Sequence, residues 1–263
     1  MKSMKPDGPV EGQTSLAYLN PEFIDSDAGR PVRILSEYLA PLRALKEAHI
    51  HDTVVFFGSA RISETGALKQ FYQDARELAG RVTRWSHSIS QHHCCLVVCT
   101  GGGGGIMEAA NRGATEAGGR TIGFNIGLPF EQRPNAYVEK ELTFEFHYFF
   151  MRKLWFAHLA RAIVVFPGGF GTLDELFEIL TLKQTRKFGR SICIILYGSS
   201  YWREILNLEA LARHGVISET DLSLFHYADD PESAMQILKD SVQVDVDAPS
   251  PDLAKSSTPC CHQ

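Results

Sequence analysis

Apolar residues along the chain occur either in short unbroken runs or at intervals of three and four positions. The unbroken runs predict buried strands at Thr53–Phe57, Cys94–Cys99, Thr121–Ile126, Leu142–His147, Ala162–Phe166, Ser191–Tyr197 and Leu222–Ala228. The periodic runs predict helices at Leu68–Trp85, Ile106–Ala117, Phe149–Ala160, Thr172–Lys183, Tyr201–Ala212 and Pro231–Asp240. This alternation indicates an α/β fold, a Rossmann-like doubly wound parallel sheet with helices on both faces and right-handed crossovers.

The segment before the first strand has a different pattern. Residues 1–30 are rich in Pro, Gly, Asp and Ser, which predicts poor order. Helical spacing then runs from Val32 to Ala48, and because Pro41 interrupts it we predict a kink or two short helices. The predicted organisation is a partly helical extension at 1–50, one Rossmann-like domain at 51–241 and a disordered tail at 242–263.

Charge and hydropathy narrow the class of protein. The 263 residues carry a formal net charge of −5, so the chain lacks the excess of basic residues that is typical of nucleic-acid-binding proteins. No apolar run approaches the roughly 20 residues needed to span a bilayer. The first residues lack the apolar core of a secretory signal. We therefore expect a cytoplasmic protein that binds neither membrane nor nucleic acid.

The cysteines predict no metal or cofactor site. Cys94, Cys95, Cys99 and Cys193 lie in strand-like runs and are expected to be small core residues. The chain contains no C-x-x-C pair, and its histidines do not fall in a zinc-binding spacing. Cys260 stands where a prenylation box would place it, but His262 is not aliphatic and no polybasic stretch precedes it.

Two turns of the predicted sheet are unusually rich in glycine. Gly101–Gly105 follows the second strand, and Pro167–Gly171 follows the fifth. In open α/β sheets ligands bind beyond the carboxyl ends of the strands, and a helix N-terminus there directs N–H groups at an anion. The turns therefore predict a phosphate site. Neither contains the P-loop sequence, and no acidic residue follows the first at the offset of a dinucleotide fold.

The role of Glu175 stays open at this level. Thr172 and Glu175 are three positions apart, as in a capping box, where each side chain only satisfies a backbone N–H. A carboxylate just beyond a glycine turn is equally suited to catalysis.

Several motifs together resemble one family. PGGFGTLDE at 167–175 is similar to the PGGxGTxxE signature of the LONELY GUY family, formerly labelled lysine decarboxylases. FFGSAR at 56–61, TGGGGGIMEAANRGA at 100–114 and FFMRK at 149–153 resemble further segments of its longer-chain branch, as does GFNIGLPFEQRPNAYV at 123–138. The resemblance covers roughly residues 54–240. The chain departs from the family pattern at Gly104, where longer relatives commonly have proline.

The resemblance implies a phosphoribohydrolase that releases the base from a nucleoside 5′-monophosphate, AMP or N6-isopentenyl-AMP, without a cofactor or metal. It implies Arg152 and Glu175 as the catalytic pair and a homodimer or higher homo-oligomer. The other substrate-binding residues it implies are Gly58, Ser59, Gly101, Gly102, Gly103, Met107, Asn111, Lys153, Gly168, Gly169, Gly171 and Thr172.

Other interpretations of these residues remain. Taken alone, Arg152 and Lys153 could form a solvated helix face, Met107 could be core packing and Ser59 a helix cap. A noncatalytic nucleotide carrier on the same fold is the alternative function. Lysine decarboxylation is rejected, because no lysine has the sequence context of a pyridoxal phosphate Schiff base.

Overall fold

The structure is a computed structural model that describes residues 16–89, 96–127 and 134–243. The predictions for residues 1–15, Cys94, Cys95, Cys260 and the tail from 244 onward lie outside the described residues. The chain divides into two compact units, Met1–Leu42 and Arg43–Gln263.

The first unit is helical. A 3₁₀ helix at Ala17–Leu19 leads to α1 at Pro21–Asp25, which Asn20 caps by accepting a hydrogen bond from the N–H of Glu22 at 3.0 Å. Helix α2 begins here and runs over Arg30–Glu47. The chain is not split into two helices at Pro41, because a proline removes one N–H from the ladder and the other hydrogen bonds keep the helix continuous.

The second unit contains one seven-stranded sheet whose strands are all parallel, which confirms the predicted fold class. The strand order is β4-β3-β2-β1-β5-β6-β7, so the sheet grows in one direction from β1 to β4 and in the other from β5 to β7. The strands are β1 Asp52–Phe57, β2 Leu96–Thr100, β3 Thr121–Ile126, β4 Thr143–Phe146, β5 Ala160–Val165, β6 Cys193–Tyr197 and β7 His226–Ala228.

Helices cover both faces of this sheet. Alternate residues of the central strand serve opposite faces: Val54 and Phe56 join the core formed with α3, α4 and α9, whereas the ring of Phe57 meets Phe156 of α5 edge-on at 4.9 Å. Every residue of β1 is buried, as expected for a parallel strand covered on both sides. The helices of this unit are α3 Lys69–Ile89, α4 Ile106–Glu116, α5 Phe149–Leu159, α6 Phe170–Gln184, α7 Ser199–Ile205, α8 Leu208–Arg213 and α9 Pro231–Gln243.

Two elements near the C-terminus differ from the prediction. The single helix predicted at Tyr201–Ala212 is two helices, α7 and α8: the first ends at Ile205, and Asn207 caps the second by accepting from the N–H of Ala210 at 2.9 Å. Most of the strand predicted at Leu222–Ala228 is wrong. Its first residues belong to a 3₁₀ helix at Glu219–Leu224, which a capping box between Ser218 and Asp221 begins.

The cysteine prediction is confirmed where the structure describes it: Cys99 and Cys193 are buried free thiols in β2 and β6. Within the described ranges, no helix is both long enough and apolar enough to cross a membrane.

Candidate active site

Three turns meet at the carboxyl ends of the central strands, and the peptide of Ser59 joins them. Its N–H donates to the carbonyl of Pro167 at 3.0 Å, and its carbonyl accepts from the N–H of Ile106 at 3.1 Å. The turn after β1 is thereby tied to the turns after both β5 and β2. This close approach requires glycine nearby: a Cβ on Gly58 would lie 2.7 Å from Cγ2 of Ile106, and one on Gly105 would lie 2.3 Å from the carbonyl oxygen of Ser59.

The turn after β2 is held from beneath by a buried amide. Asn111 of α4 is fully buried, and its Oδ1 accepts from Thr100 Oγ1 at 2.7 Å and from Asn135 Nδ2 at 2.8 Å. Its Nδ2 donates to Thr121 Oγ1 at 2.6 Å. The resemblance implies Asn111 as a substrate-binding residue, but its amide is already engaged with β2, β3 and the loop before β4, so we expect it to support the turn.

The backbone of this turn is largely enclosed. Asn135 clamps it from above, with its Nδ2 2.9 Å from the carbonyl oxygen of Gly103 and its backbone N–H donating to the carbonyl of Gly102 at 2.8 Å. Gly102 has φ +70°, and a Cβ there would lie 1.8 Å from Oδ1 of Asn125. That oxygen is buried and accepts no hydrogen bond from any residue that the structure describes. Gly102 and Gly103 are themselves buried.

One residue of the turn does face the other predicted site residues. A Cβ on Gly101 would lie 2.8 Å from the thioether sulfur of Met107 and 3.7 Å from Nη1 of Arg152. Met107 is half-buried at the start of α4. Gly101, Met107 and Arg152 therefore come together, although they are up to 51 positions apart in the sequence.

The turn after β5 is open. Gly169 and Gly171 are exposed, and a Cβ on either would have no atom within 4 Å. Gly168 is the tight position, where a Cβ would lie 2.1 Å from Oγ1 of Thr172. Helix α6 starts at Phe170, so its first N–H groups have no acceptor inside the helix and face outward at this turn.

The register of α6 tests the capping-box interpretation of Glu175. The N-cap is Gly169, which has no side chain, and the first hydrogen bond of the helix runs from the N–H of Leu173 to the carbonyl of Gly169 at 3.0 Å. Thr172 and Glu175 both lie inside the helix, so the capping-box interpretation is wrong. The carboxylate of Glu175 is left for another partner.

That partner is Arg152, from α5. Its Nη2 lies 3.2 Å from Oε1 of Glu175, and the two side chains are only 11% and 12% exposed. The guanidinium lies near the rings of Phe149 and Phe156, 5.4 and 5.7 Å from their centroids. Its buried Nε has no hydrogen-bond partner among the described residues, so the pair retains an unused donor.

Burial changes the acidity of this pair. It raises the pKa of Glu175 to about 7, against a smaller opposing effect of Arg152, and it lowers the pKa of Arg152. Glu175 can therefore exchange a proton near neutral pH while a cation lies beside it. This arrangement is typical of a general acid or base.

Lys153, which the resemblance implies as a substrate-binding residue, connects α5 to α6. Its Nζ lies 2.6 Å from Oδ2 of Asp174 and 2.9 Å from Oε2 of Glu178. Burial lowers the pKa of Lys153, but the hydrogen bonds to these carboxylates and their negative charges together outweigh burial and raise it overall. Because Asp174 and Glu178 flank Glu175 along the helix, the lysine helps to set the position of the catalytic candidate.

A cavity of about 460 Å³ is lined by the Gly168–Gly169 turn. The segment after β1 also lines it, and this segment includes Arg61, which is not among the residues that the resemblance implies. Tyr201 also lines it and donates its hydroxyl to the carbonyl of Gly168 at 2.8 Å. Nothing in the sequence singled out Tyr201. Over the described part of the chain, no three His, Cys, Asp or Glu side chains converge as a metal site would require.

A family model described as "Possible lysine decarboxylase" matches residues 107–238, about half of the chain. The chain belongs to this family. It is the LONELY GUY family, which the glycine motifs of the sequence resemble. The matched segment of this LONELY GUY chain contains Arg152, Glu175 and the open turn.

Individual relatives agree with the assignment. The chain is similar to a cytokinin riboside 5′-monophosphate phosphoribohydrolase of Rhodococcoides fascians, with 28% identity over 139 residues, which are 51% of this chain and 68% of that protein. Among solved structures, it resembles the structural genomics target TM1055, with a TM-score of 0.51 and 22% identity over 72% of this chain and 99% of that one. It also resembles a molybdenum cofactor binding protein of Rippkaea orientalis, with a TM-score of 0.50 and 18% identity over 73% and 98% of the two chains. At these identities the two structures support the fold alone.

Proposed function

We propose that this protein hydrolyses the N-glycosidic bond of a nucleoside 5′-monophosphate, AMP or N6-isopentenyl-AMP, to free base and ribose 5-phosphate. The observation that carries the proposal is the buried Arg152–Glu175 pair, whose side chains are 3.2 Å apart. The two residues lie on α5 and α6, which begin beyond the carboxyl ends of strands. The similarity to the Rhodococcoides fascians enzyme supports the choice of substrate class.

Glu175 is suited to the charge that this reaction develops. Cleavage of the bond between C1′ and the base nitrogen leaves positive charge on the ribose, which a carboxylate beside C1′ stabilises. The same carboxylate accepts a proton from the water whose oxygen bonds to C1′, and a pKa of about 7 suits that transfer at neutral pH. The base leaves with the electron pair of the broken bond and takes a proton from solvent, and Glu175 later releases to solvent the proton it accepted from water, so that one water molecule is consumed overall.

Arg152 has two tasks in this scheme. It holds the carboxylate of Glu175 in place, and it keeps a donor, Nε, for the substrate. Because Gly101 lies against both Arg152 and Met107, the base is expected to occupy the space beside Gly101. Gly169 and Gly171 leave the backbone of the other turn accessible to the ribose phosphate.

The test is base release by the purified full-length chain, followed by chromatography with AMP and with isopentenyl-AMP. We expect Glu175→Gln to lower kcat by about 10²- to 10⁴-fold, and Arg152→Gln to lower kcat/KM severely. Glu204→Gln is the control, because it removes an exposed carboxylate of α7 and leaves the Arg152–Glu175 contact and the Lys153 ion pairs intact. Nucleotide binding without base release by the wild type would instead favour the noncatalytic carrier.

We also propose that the protein works in the cytoplasm as a homodimer or a larger homo-oligomer. Five large apolar side chains around the site are 40% to 93% exposed. They are Phe149, Phe150, Leu154, Phe170 and Phe177. Exposed apolar groups that cluster in this way mark a contact surface for another chain. Sedimentation velocity should give a mass of at least two chains, and Phe150→Glu should lower it.

A further inference from the structure

Two phenylalanine rings lie beside the guanidinium of Arg152. The ring centroids of Phe149 and Phe156 are 5.4 and 5.7 Å from its central carbon, which is within the range of cation–π attraction. The three residues occupy positions i, i+3 and i+7 of α5, so they share one face of the helix. Helix α5 therefore presents the cation of the ion pair together with two aromatic rings.

The two rings differ in their other contacts. Phe156 is 1% exposed and also packs against Phe57 and Phe124, whose ring centroids are 4.9 and 5.4 Å away, so its place is required by the core. Phe149 is the first residue of α5, is 50% exposed and does not belong to the buried core. Core packing therefore does not explain why the ring of Phe149 lies against Arg152.

The guanidinium gains orientation from such a ring. Nη2 of Arg152 lies 3.2 Å from Oε1 of Glu175, and this is its single ion pair with the residues that the structure describes. Its buried Nε has no hydrogen-bond partner among them. A long side chain that is held at one atom keeps rotational freedom, and the reaction must remove that freedom. A ring packed beside the guanidinium limits it in advance.

The same ring limits the access of water. The side chains of Arg152 and Glu175 are only 11% and 12% exposed. Phe149 lies beside the guanidinium and is itself half exposed, so its ring stands between Arg152 and solvent. Because the attraction between a cation and a carboxylate strengthens when water is excluded, the ring strengthens the ion pair.

We propose that Phe149 is a positioning residue of the site, whose ring holds the guanidinium of Arg152 on Glu175 and excludes water from the pair. The inference rests on the proposed function for the reaction that the pair serves. Phe150 offers a matched comparison. It is adjacent, is also 50% exposed and belongs to the same apolar patch, but no cation lies over its ring in the described part of the chain.

The first experiment measures the shielding of Arg152 without catalysis. The intact full-length chain is treated with phenylglyoxal, which modifies guanidinium groups that the reagent can reach, and the modification of Arg152 is followed by peptide mass spectrometry. We expect its rate constant to rise about threefold or more in Phe149→Ala and to stay unchanged in Phe150→Ala. Equal rates in the wild type and Phe149→Ala would overturn the proposal.

The second experiment separates the attraction of the ring from its bulk, using base release from AMP. Leucine fills most of the volume of phenylalanine but has no π-face, whereas tyrosine keeps one. We expect kcat to fall about 2- to 30-fold in Phe149→Leu and to stay near the wild-type value in Phe149→Tyr, while KM changes by about twofold at most. A wild-type kcat in Phe149→Leu would reject the role. So would an equal fall in Phe150→Leu, because the loss would then belong to the shared apolar patch.

The third measurement is the pH dependence of kcat/KM. The charged groups that act on Glu175 from α5 and α6 are Arg152, Lys153, Asp174 and Glu178. Phe149→Ala leaves all four in place but admits water, which weakens both the effect of burial and the opposing effect of Arg152, so the pKa of Glu175 moves down toward its ordinary value. We expect the midpoint to fall in Phe149→Ala and not in Phe150→Ala. An unchanged or higher midpoint in Phe149→Ala would contradict the proposal.

The experiments distinguish failure of this inference from failure of the proposed function. A wild type that releases no base would reject the hydrolase, and the phenylglyoxal rates would still decide whether Phe149 shields Arg152. A wild type that releases base, with equal phenylglyoxal rates and equal kcat in Phe149→Leu, would keep the hydrolase and reject the role of Phe149.

Discussion

Gly101–Gly105 and Pro167–Gly171 both connect a strand to a helix at the same edge of the sheet, yet their backbones have different surroundings. The first turn is packed: Gly102 and Gly105 have positive φ, and added Cβ atoms would meet Asn125 and the backbone of Ser59. The second turn is open at Gly169 and Gly171. Glycine therefore satisfies a packing requirement in one turn and leaves the backbone free for a ligand in the other.

The largest change in stability is expected at the packed turn. Gly105→Ala would force a side chain into φ +65° and to within 2.3 Å of the Ser59 carbonyl oxygen. We expect the free energy of unfolding to fall by about 3 kcal/mol or more. Urea denaturation measures it, and a loss below about 1 kcal/mol would show that the turn can relax.

The second-largest loss of stability is expected at Asn111, whose buried amide supports the Gly101–Gly105 turn. Asn111→Ala would remove three hydrogen bonds and leave Thr100, Thr121 and Asn135 each short of a partner. We expect a loss of about 2 to 3 kcal/mol. Asn207→Ala, which removes a helix cap outside the site, is the control and should cost about 1 kcal/mol. An unchanged stability with a raised KM would restore Asn111 to the substrate.

Glu175 in α6, the helix that follows the open turn, should determine how the reaction rate depends on pH. If the carboxylate form of Glu175 is required, kcat/KM should rise about tenfold per pH unit and level off above about pH 7. Lys153→Met should shift the midpoint upward, because Lys153 lowers the pKa of Glu175, whereas Lys187→Met on the exposed surface should not. A midpoint that stays near 4.5 would contradict the raised pKa.

The same group affects stability with a definite sign. The pKa of Glu175 is higher in the folded chain, so the folded state binds the extra proton and its relative stability falls as the pH rises from 4.5 to about 7. Glu175→Gln should remove this part of the pH dependence. Denaturant unfolding of both proteins at pH 4.5 and pH 7.5 measures the difference.

The smallest change in stability is expected at the open turn. Gly171→Ala adds a methyl group that meets no atom within 4 Å, in the first turn of α6. We expect stability to be unchanged or raised by up to about 1 kcal/mol. Its effect should fall on KM for AMP. A loss of stability equal to that of Gly105→Ala would remove the distinction between the turns.

The fold was predictable because its signals are local. The unbroken apolar runs predicted the first six strands to within a few residues, and the bounds of β3 are the same in prediction and structure. The errors arose where a polar residue interrupts an apolar pattern. Asn207 divides a periodic run into two helices, and Ser218 starts a 3₁₀ helix where a strand was predicted, because side-chain hydrogen bonds to the backbone outweigh periodicity there.

The candidate site was less predictable. The motif alone pointed to Arg152 and Glu175, but their pairing depends on how α5 and α6 pack. Asn111 has the same residue type and motif position whether it contacts a ligand or supports a turn, and only its burial distinguishes the two roles. The cavity that Arg61 and Pro167 both line is formed by residues 106 positions apart, which no local pattern records.

The bridge at Ser59 has a consequence for how such chains can diverge. Both of its hydrogen bonds, to Pro167 and from Ile106, use main-chain atoms. The coupling of the three turns is therefore independent of the side chain at position 59, and most substitutions there would preserve it. Proline is the exception, because it has no N–H to donate. Substitutions at position 59 can therefore change the side chain that lines the cavity while the main-chain hydrogen bonds between the three turns are kept.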